Sequence, residues 1–273
     1  MQGQKITFLG CGNMGTSLIS GLVANGHPAS SLCGVDPDEN QRRRLADRHD
    51  IRIMATIAEG VPGADVIVLA VKPQTVPAAL AEVKQALQTE RPLVLSIAAG
   101  IRIATISKPL GGACPVVRAM PNTPALLGAG ATGLYAAADV GADQRRLAMH
   151  IMQAAGVAVW LDDESQLDAV TAVSGSGPAY FFLVVELLEK MAVEMGLSRE
   201  QAHLLSVETA FGAARMLKES GEDAATLRQR VTSPGGTTEK ALQVFREGGL
   251  EPLLRRALTA CRERSVELAT QGD

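Results

Sequence analysis

The sequence predicts an α/β fold, with an N-terminal doubly wound parallel sheet followed by an all-helical part. Three observations predict it. Short apolar runs alternate with helical segments over about the first 160 residues, glycines stand at Gly10, Gly12 and Gly15 between the first strand and the first helix, and from Asp168 onward nearly every segment has helical period. The chain has 273 residues, 47% of them hydrophobic, which is enough to fill the cores of two domains. Only five Phe, two Tyr and one Trp occur. Ala, Val and Leu therefore do most of the packing, which suits close-packed helices and parallel strands.

Taken in order, a strand over 5–9 runs into Gly10-Cys-Gly-Asn-Met-Gly15 and a helical segment over 17–24. A second strand over 32–35 ends at Asp36, and a charged helix follows over about 39–48. The third strand pattern, 65–71, is nearly continuous in apolar residues, as expected when both faces are covered. Lys72-Pro73 and a helix to about 87 come next, and a strand over 93–97 ends at Ala98-Ala-Gly100. Residues 115–118, 133–135 and 157–160 read as later strands. The texture changes around 161–165, so the domains are expected at 1–162 and 163–273. Helices are then expected over 178–195, 198–218, 224–230, 236–245 and 251–270, with Gly196 stopping the first and Ser198 and Gln201 forming a capping box for the second. Residues 174–180 read as a loop of small residues and hydroxyls leading into an apolar helix.

A net charge of −3 gives no basic field to attract a nucleic acid. The one basic cluster, Arg42-Arg43-Arg44, reads as a solvated helix face. Cys11, Cys33, Cys114 and Cys261 lack metal-ligand spacing, so no metal is expected, and with no signal peptide the expected location is the reducing cytoplasm. No apolar run reaches the ~18–20 residues of a bilayer span, so no membrane association is expected.

Gly10-x-Gly12-x-x-Gly15 follows a strand and opens a helix, the context in which such glycines let backbone approach a pyrophosphate. Asp36 ends the second strand, where an acid accepts the adenosine ribose hydroxyls and favours NAD; the arginines on the next helix would offset its repulsion of a 2′-phosphate. Lys72-Pro73 falls at the carboxyl edge of the sheet, where Lys72 is either functional or a surface lysine. Asn122, between two prolines, either orients nicotinamide or substrate or holds an Asx-turn. Near the C-terminal end, Val231-Thr-Ser-Pro-Gly-Gly-Thr-Thr238 crowds hydroxyls and bare amides onto a helix start, a place to hold a small anion.

These motifs together resemble pyrroline-5-carboxylate reductases across essentially the whole chain. The resemblance rests on residues 10–15, Ala70-Val-Lys-Pro73, Arg118-x-Met-Pro-Asn-Thr-Pro124, Ala172-Val-Ser-Gly-Ser-Gly-Pro-Ala-Tyr180 and residues 231–238. It implies reduction of L-1-pyrroline-5-carboxylate to L-proline by NAD(P)H, an N-terminal Rossmann-type domain, and a helical domain that forms homodimers and further assembles into decamers. The active site is then shared between subunits. By the same resemblance, Gly10, Gly12, Asn13, Met14, Gly15, Asp36, Val71, Lys72, Pro73, Ala98, Ala99 and Asn122 bind the cofactor. Ser233 with Gly235, Gly236, Thr237 and Thr238 holds the substrate, with the Thr238 hydroxyl on the imine nitrogen as the catalytic contact. Glu222 is an upstream carboxylate able to serve as a proton source.

Two residues depart from the family pattern: Ile57 replaces an asparagine that meets the ribose in many relatives, and Asp36 stands where NADPH users often carry serine or threonine. NADPH remains the expected cofactor on family grounds, with NADH plausible. A β-hydroxyacid-dehydrogenase-like oxidoreductase needs a lysine on the long interdomain helix, yet none occurs before Lys190. A non-catalytic dinucleotide-binding redox sensor would have no use for a second anion pocket.

Overall fold

The computed structural model describes residues 3–87 and 89–270. Its first compact unit holds the residues up to Ser176 and those from Cys261 on, and its second is Gly177–Ala260. The first unit is built on an eight-stranded sheet of order β3-β2-β1-β4-β5-β6-β7-β8. The strands are β1 (Ile6–Leu9), β2 (Leu32–Val35), β3 (Arg52–Met54), β4 (Val66–Leu69), β5 (Leu93–Ser96), β6 (Val116–Met120), β7 (Gly130–Ala136) and β8 (Gly156–Trp160). Strands β1 to β6 run parallel; β7 pairs antiparallel with β6, and β8 runs parallel to β7.

Alternation along each strand divides the apolar residues between two cores. Ile6, Phe8, Val66 and Val68 face α1 (Asn13–Ala24) through Leu18, Ile19 and Leu22. Leu9, Ile67, Leu69 and Val94 meet Leu80 and Val83 of the helix over Val76–Ala86 on the other face. A sheet covered on both faces explains the continuous apolar runs.

Three elements differ from the sequence expectation. The expected third strand is the fourth, because β3 adds an edge strand of three partly exposed residues, too short to show alternation. Helix α2 (Glu39–Ala46) precedes β3, and the stretch carrying Ile57 forms the short helix α3 (Ile57–Gly60), capped by Thr56 and Glu59. The remaining helices of this unit are α4 (Val76–Ala86), α5 (Ile103–Ser107), α6 (Ala142–Gln153) and α7 (Gln166–Val170).

The third difference concerns 174–177, which is no loop. A π-turn over Thr171–Gly175 joins α7 to α8 (Gly177–Glu194), so that helix runs from Gln166 to Glu194. By length and composition that helix is apolar enough to cross a membrane, which corrects the expectation that no apolar run was long enough. Ser174 shows how the hydroxyls are accommodated, its Oγ donating to the Val170 carbonyl at 3.0 Å.

The second unit holds α8, α9 (Arg199–Glu219), α10 (Ala224–Arg230) and α11 (Thr237–Glu247), with the start of α12 (Leu250–Thr270). Ser198 and Gln201 form the expected capping box, and Gly196 ends α8 at φ +103°. Its apolar side chains are largely uncovered: Phe181 is 71% exposed, Phe182 67% and Phe211 61%.

His27, in the turn after α1, is 4% exposed. Its Nε2 donates to the Gln4 carbonyl at 3.0 Å, which leaves Nδ1 buried without a partner. Burial, reinforced by His150, holds the imidazole below its ordinary value. The unfolded chain therefore takes up the proton first as pH falls, so His27 contributes full stability above about pH 6.5 and loses it below. The melting temperature should fall between pH 7.5 and 5, and by less in His27→Gln; an equal fall would discount the side chain.

Candidate active site

The carboxyl ends of the central strands stand in register. Leu9 pairs with Val35 and with Leu69, Leu69 with Ser96, and Ser96 with Arg118. The segments that follow share one edge of the sheet: the Gly10 turn, Asp36, Val71 to Pro73, Ala98, Ala99 and Asn122. Ligands of open α/β sheets bind at such an edge.

The glycines there have separable jobs. Gly10 adopts φ +95°, and a Cβ on it would lie 2.8 Å from the Ala70 carbonyl oxygen. A Cβ on Gly15 would meet the Gly10 carbonyl oxygen at 2.3 Å. A Cβ on Gly12 would meet nothing within 4 Å, so its Cα faces open space. Asn13 and Met14 then begin α1, whose first turn has neither a side-chain cap nor an acid. Open space before uncapped amides fits the pyrophosphate of a dinucleotide.

Asp36 is bound into the same turn. Its Oδ2 accepts from the Cys11 N–H at 2.8 Å and its Oδ1 from the Asp38 N–H at 2.9 Å. The three arginines of α2 separate: Arg42 donates to the carbonyls of Asp36 and Pro37, Arg43 pairs with Glu39, and Arg44 lines a cavity of about 430 Å³ beside Gly12, Asn13 and Thr16. Burial, with the Asp36 charge and Cys33, pushes the Cys11 thiol up to about 12, which leaves it inert as a nucleophile.

Lys72 is exposed between half-buried Val71 and Pro73. Ala98 is buried with its N–H on the Ser96 hydroxyl, while Ala99 is exposed. Pro73 and Ala99 border a cavity of about 820 Å³ that Leu268 of α12 helps to line. A cavity of about 710 Å³ at the opposite edge, among Gln4, Asp65 and Leu93, contains none of these residues.

Asn122 is 9% exposed, and both ends of its amide serve the chain itself. Nδ2 donates to the Ser174 carbonyl and Oδ1 accepts from the Ala131 N–H, both at 2.9 Å. Two further braces escaped the sequence reading because their partners lie far apart in the chain. Glu164 Oε1 accepts from Arg118 Nη1 at 2.6 Å and from the Ile103 N–H at 2.8 Å, joining β6, α5 and the segment before α7. Ser265 of α12 donates to Asp168 of α7 at 2.6 Å, with both residues buried.

In the second unit, residues 231–238 form a turn into α11. Gly235 takes φ +72°, Gly236 is the N-cap, and Thr237 and Thr238 open the helix with amides that have no partner four residues back. Thr238 is half-buried, while Ser233, Gly235 and Thr237 are exposed. The Gly235 N–H is already taken, donating to Glu239 Oε2 at 2.8 Å. Glu222 is tied to Arg230 at 2.6 Å, and its Oε2 is buried without a partner.

Residues 164–268 match the pyrroline-5-carboxylate reductase dimerisation family, and residues 5–100 match the family of NADP oxidoreductases that are coenzyme F420-dependent. The pyrroline-5-carboxylate reductase of Pseudomonas aeruginosa is 50% identical over 271 residues, covering 99% of each chain. The chain belongs to the pyrroline-5-carboxylate reductase family. Among solved structures of that family, the Coxiella burnetii reductase superposes with a TM-score of 0.94 at 42% identity, covering 98% of this chain and 99% of its own. The Plasmodium falciparum reductase with NADP bound gives 0.85 at 29% identity, with the same coverage.

For this member of the reductase family, Gly12→Ala and Gly15→Ala should fail in different ways. Gly12→Ala has room to fold and should keep its melting temperature within a few degrees while weakening dinucleotide binding at least about tenfold, because a methyl blocks the backbone approach. Gly15→Ala should lower the melting temperature outright. Nicotinamide fluorescence titration beside thermal melts checks both.

Proposed function

We propose that this chain reduces L-1-pyrroline-5-carboxylate to L-proline with hydride from NAD(P)H, the last step of proline biosynthesis. The observation that carries the reading is the hydroxyl-rich turn over 231–238, with its open helix start, in a chain that also has a dinucleotide-type sheet edge. When bound, the cofactor supplies the hydride that the imine carbon accepts, and the protein's own groups hold and orient.

At the cofactor edge, Gly10, Gly12, Asn13, Met14 and Gly15 cradle the pyrophosphate at the start of α1. Asp36 and α2 meet the adenosine end, and Val71, Lys72, Pro73, Ala98 and Ala99 border the nicotinamide end. Asn122 contributes by fixing the π-turn and β7, since its amide is already spent on Ser174 and Ala131.

For the substrate, Ser233 and the amides of Thr237 and Thr238 hold the carboxylate. The Gly235 and Gly236 amides join them only if their bonds to Glu239 Oε2 and to the Ser233 carbonyl open. The Thr238 hydroxyl hydrogen-bonds the imine nitrogen and orients the carbon for attack. A threonine hydroxyl is too weak an acid to supply the proton alone, so it relays one from water or meets an imine already protonated. Glu222 acts at most through Arg230, to which it is bound.

The uncovered apolar faces of α8 and α9 support a homodimer, in which the turn of one subunit serves the nicotinamide of its partner. The resemblance extends this to a decamer. A cytoplasmic location is part of the same proposal, supported by four cysteines that all stand as free thiols.

Thr238→Ala should lower kcat/KM by about 10- to 1000-fold, the loss of ~1–4 kcal/mol of transition-state hydrogen bonding, with cofactor affinity nearly unchanged. Steady-state NADPH oxidation with pyrroline-5-carboxylate measures it. Normal turnover by the variant would remove Thr238 from the mechanism, and no turnover by the parent protein would remove the reading itself.

A further inference from the structure

Asp36 stands where an acid after the second strand accepts the adenosine ribose hydroxyls, yet each of its oxygens already accepts a backbone N–H, from Cys11 and from Asp38. Six residues on, Arg42 is half-buried and lies back across the same turn. Its Nη1 donates to the Asp36 carbonyl at 2.8 Å and to the Pro37 carbonyl at 2.7 Å. The N–H groups on Nη2 and Nε have no partner among the described residues. A guanidinium held this way has lost most of its rotamer freedom before any ligand arrives, and it still presents a planar set of donors.

The surrounding carboxylates are occupied. Asp38 caps α2 through the Asn40 N–H, and Glu39 pairs with the exposed Arg43. Glu59 bonds the Thr56 hydroxyl and N–H, which chiefly hold its carboxyl below the usual range, with a smaller contribution from Arg42. Bare of Arg42, the turn would face an incoming phosphate with negative charge from Asp36, Asp38 and Glu59. With it, a fixed cation lies across the turn that ends β2.

We infer that Arg42 reads the adenosine 2′-phosphate and gives the protein its preference for NADPH over NADH. Asp36 serves to clasp the glycine turn to the end of β2 more than to select NADH. The inference rests on the reading above only in taking the cofactor to be NAD(P)H. A dianionic phosphate draws on the free N–H groups in charge-assisted bonds, whereas the 2′-hydroxyl of NADH gains little from them.

The test compares adenosine 2′,5′-bisphosphate with adenosine 5′-monophosphate by calorimetry on the full chain, and NADPH with NADH by fluorescence titration. The unaltered protein should bind the bisphosphate and NADPH more tightly. Arg42→Ala should weaken both by about 10- to 100-fold and shift the monophosphate and NADH by less than about threefold. Arg42→Lys keeps the charge but cannot span the two carbonyls and a phosphate together, so its loss should be intermediate and selective in the same sense, which covers the case of an alanine variant that does not fold. Equal weakening of all four ligands would assign Arg42 a purely structural role and overturn the inference. So would an unaltered protein that binds the bisphosphate no better than the monophosphate. The titrations contain no imine, so a failure of the reductase reading would appear separately, as absent turnover with these affinities intact.

Discussion

The close approach of the Gly10 turn to the end of β4 is the contact on which the site depends. Only a residue without Cβ can pass the Ala70 carbonyl at that distance, and only another can let α1 begin directly over Gly10. Those two approaches bring the uncapped start of α1 to the sheet edge and place the Cys11 N–H where Asp36 can accept it. The clasp then fixes the end of β2, and Arg42 is fixed in turn by the carbonyls of that end. A chain of backbone and side-chain contacts thus runs from the glycine turn through the end of β2 to α2.

A second set of restraints holds the edge from the other side. The Arg118–Glu164 pair, with side chains 10% and 24% exposed, ties β6 to α5, and Asn122 ties the π-turn to β7. Losing one partner of a pair so little exposed costs about 3 kcal/mol, a large share of a domain's net stability. The Ser265–Asp168 bond anchors the end of α12 in the same unit. None of these groups needs reactive chemistry of its own, which agrees with a reaction whose redox step belongs to a nicotinamide and whose protein contribution is placement.

The parallel sheet was legible because continuous runs such as 66–69 have few other uses, and the glycine fingerprint was legible from its place between a strand and a helix. The helices from 199 onward were legible from capping residues and period, Ser198 with Gln201 being the clearest case. Edge strand β3 was not, since three residues cannot establish a period. The π-turn was misread as a loop because Ser174, Gly175 and Gly177 are turn residues by propensity, and only tertiary packing and bonds back to the preceding carbonyls keep them helical. Among site residues, the positions of Gly10 to Gly15 and of Gly236 to Thr238 on their helix starts could be read locally. The occupation of Asp36, Asn122 and Gly235 by the chain's own groups could not, because it depends on side-chain geometry.

The chemistry turns on one transfer, from C4 of a reduced nicotinamide to the imine carbon. The most direct measurement is turnover of pyrroline-5-carboxylate with NADPH deuterated at C4, followed by mass spectrometry of the product. The account predicts proline carrying deuterium on the ring carbon next to nitrogen, from one of the two C4 positions only. Unlabelled proline, or none at all from folded protein that binds the cofactor, would contradict it.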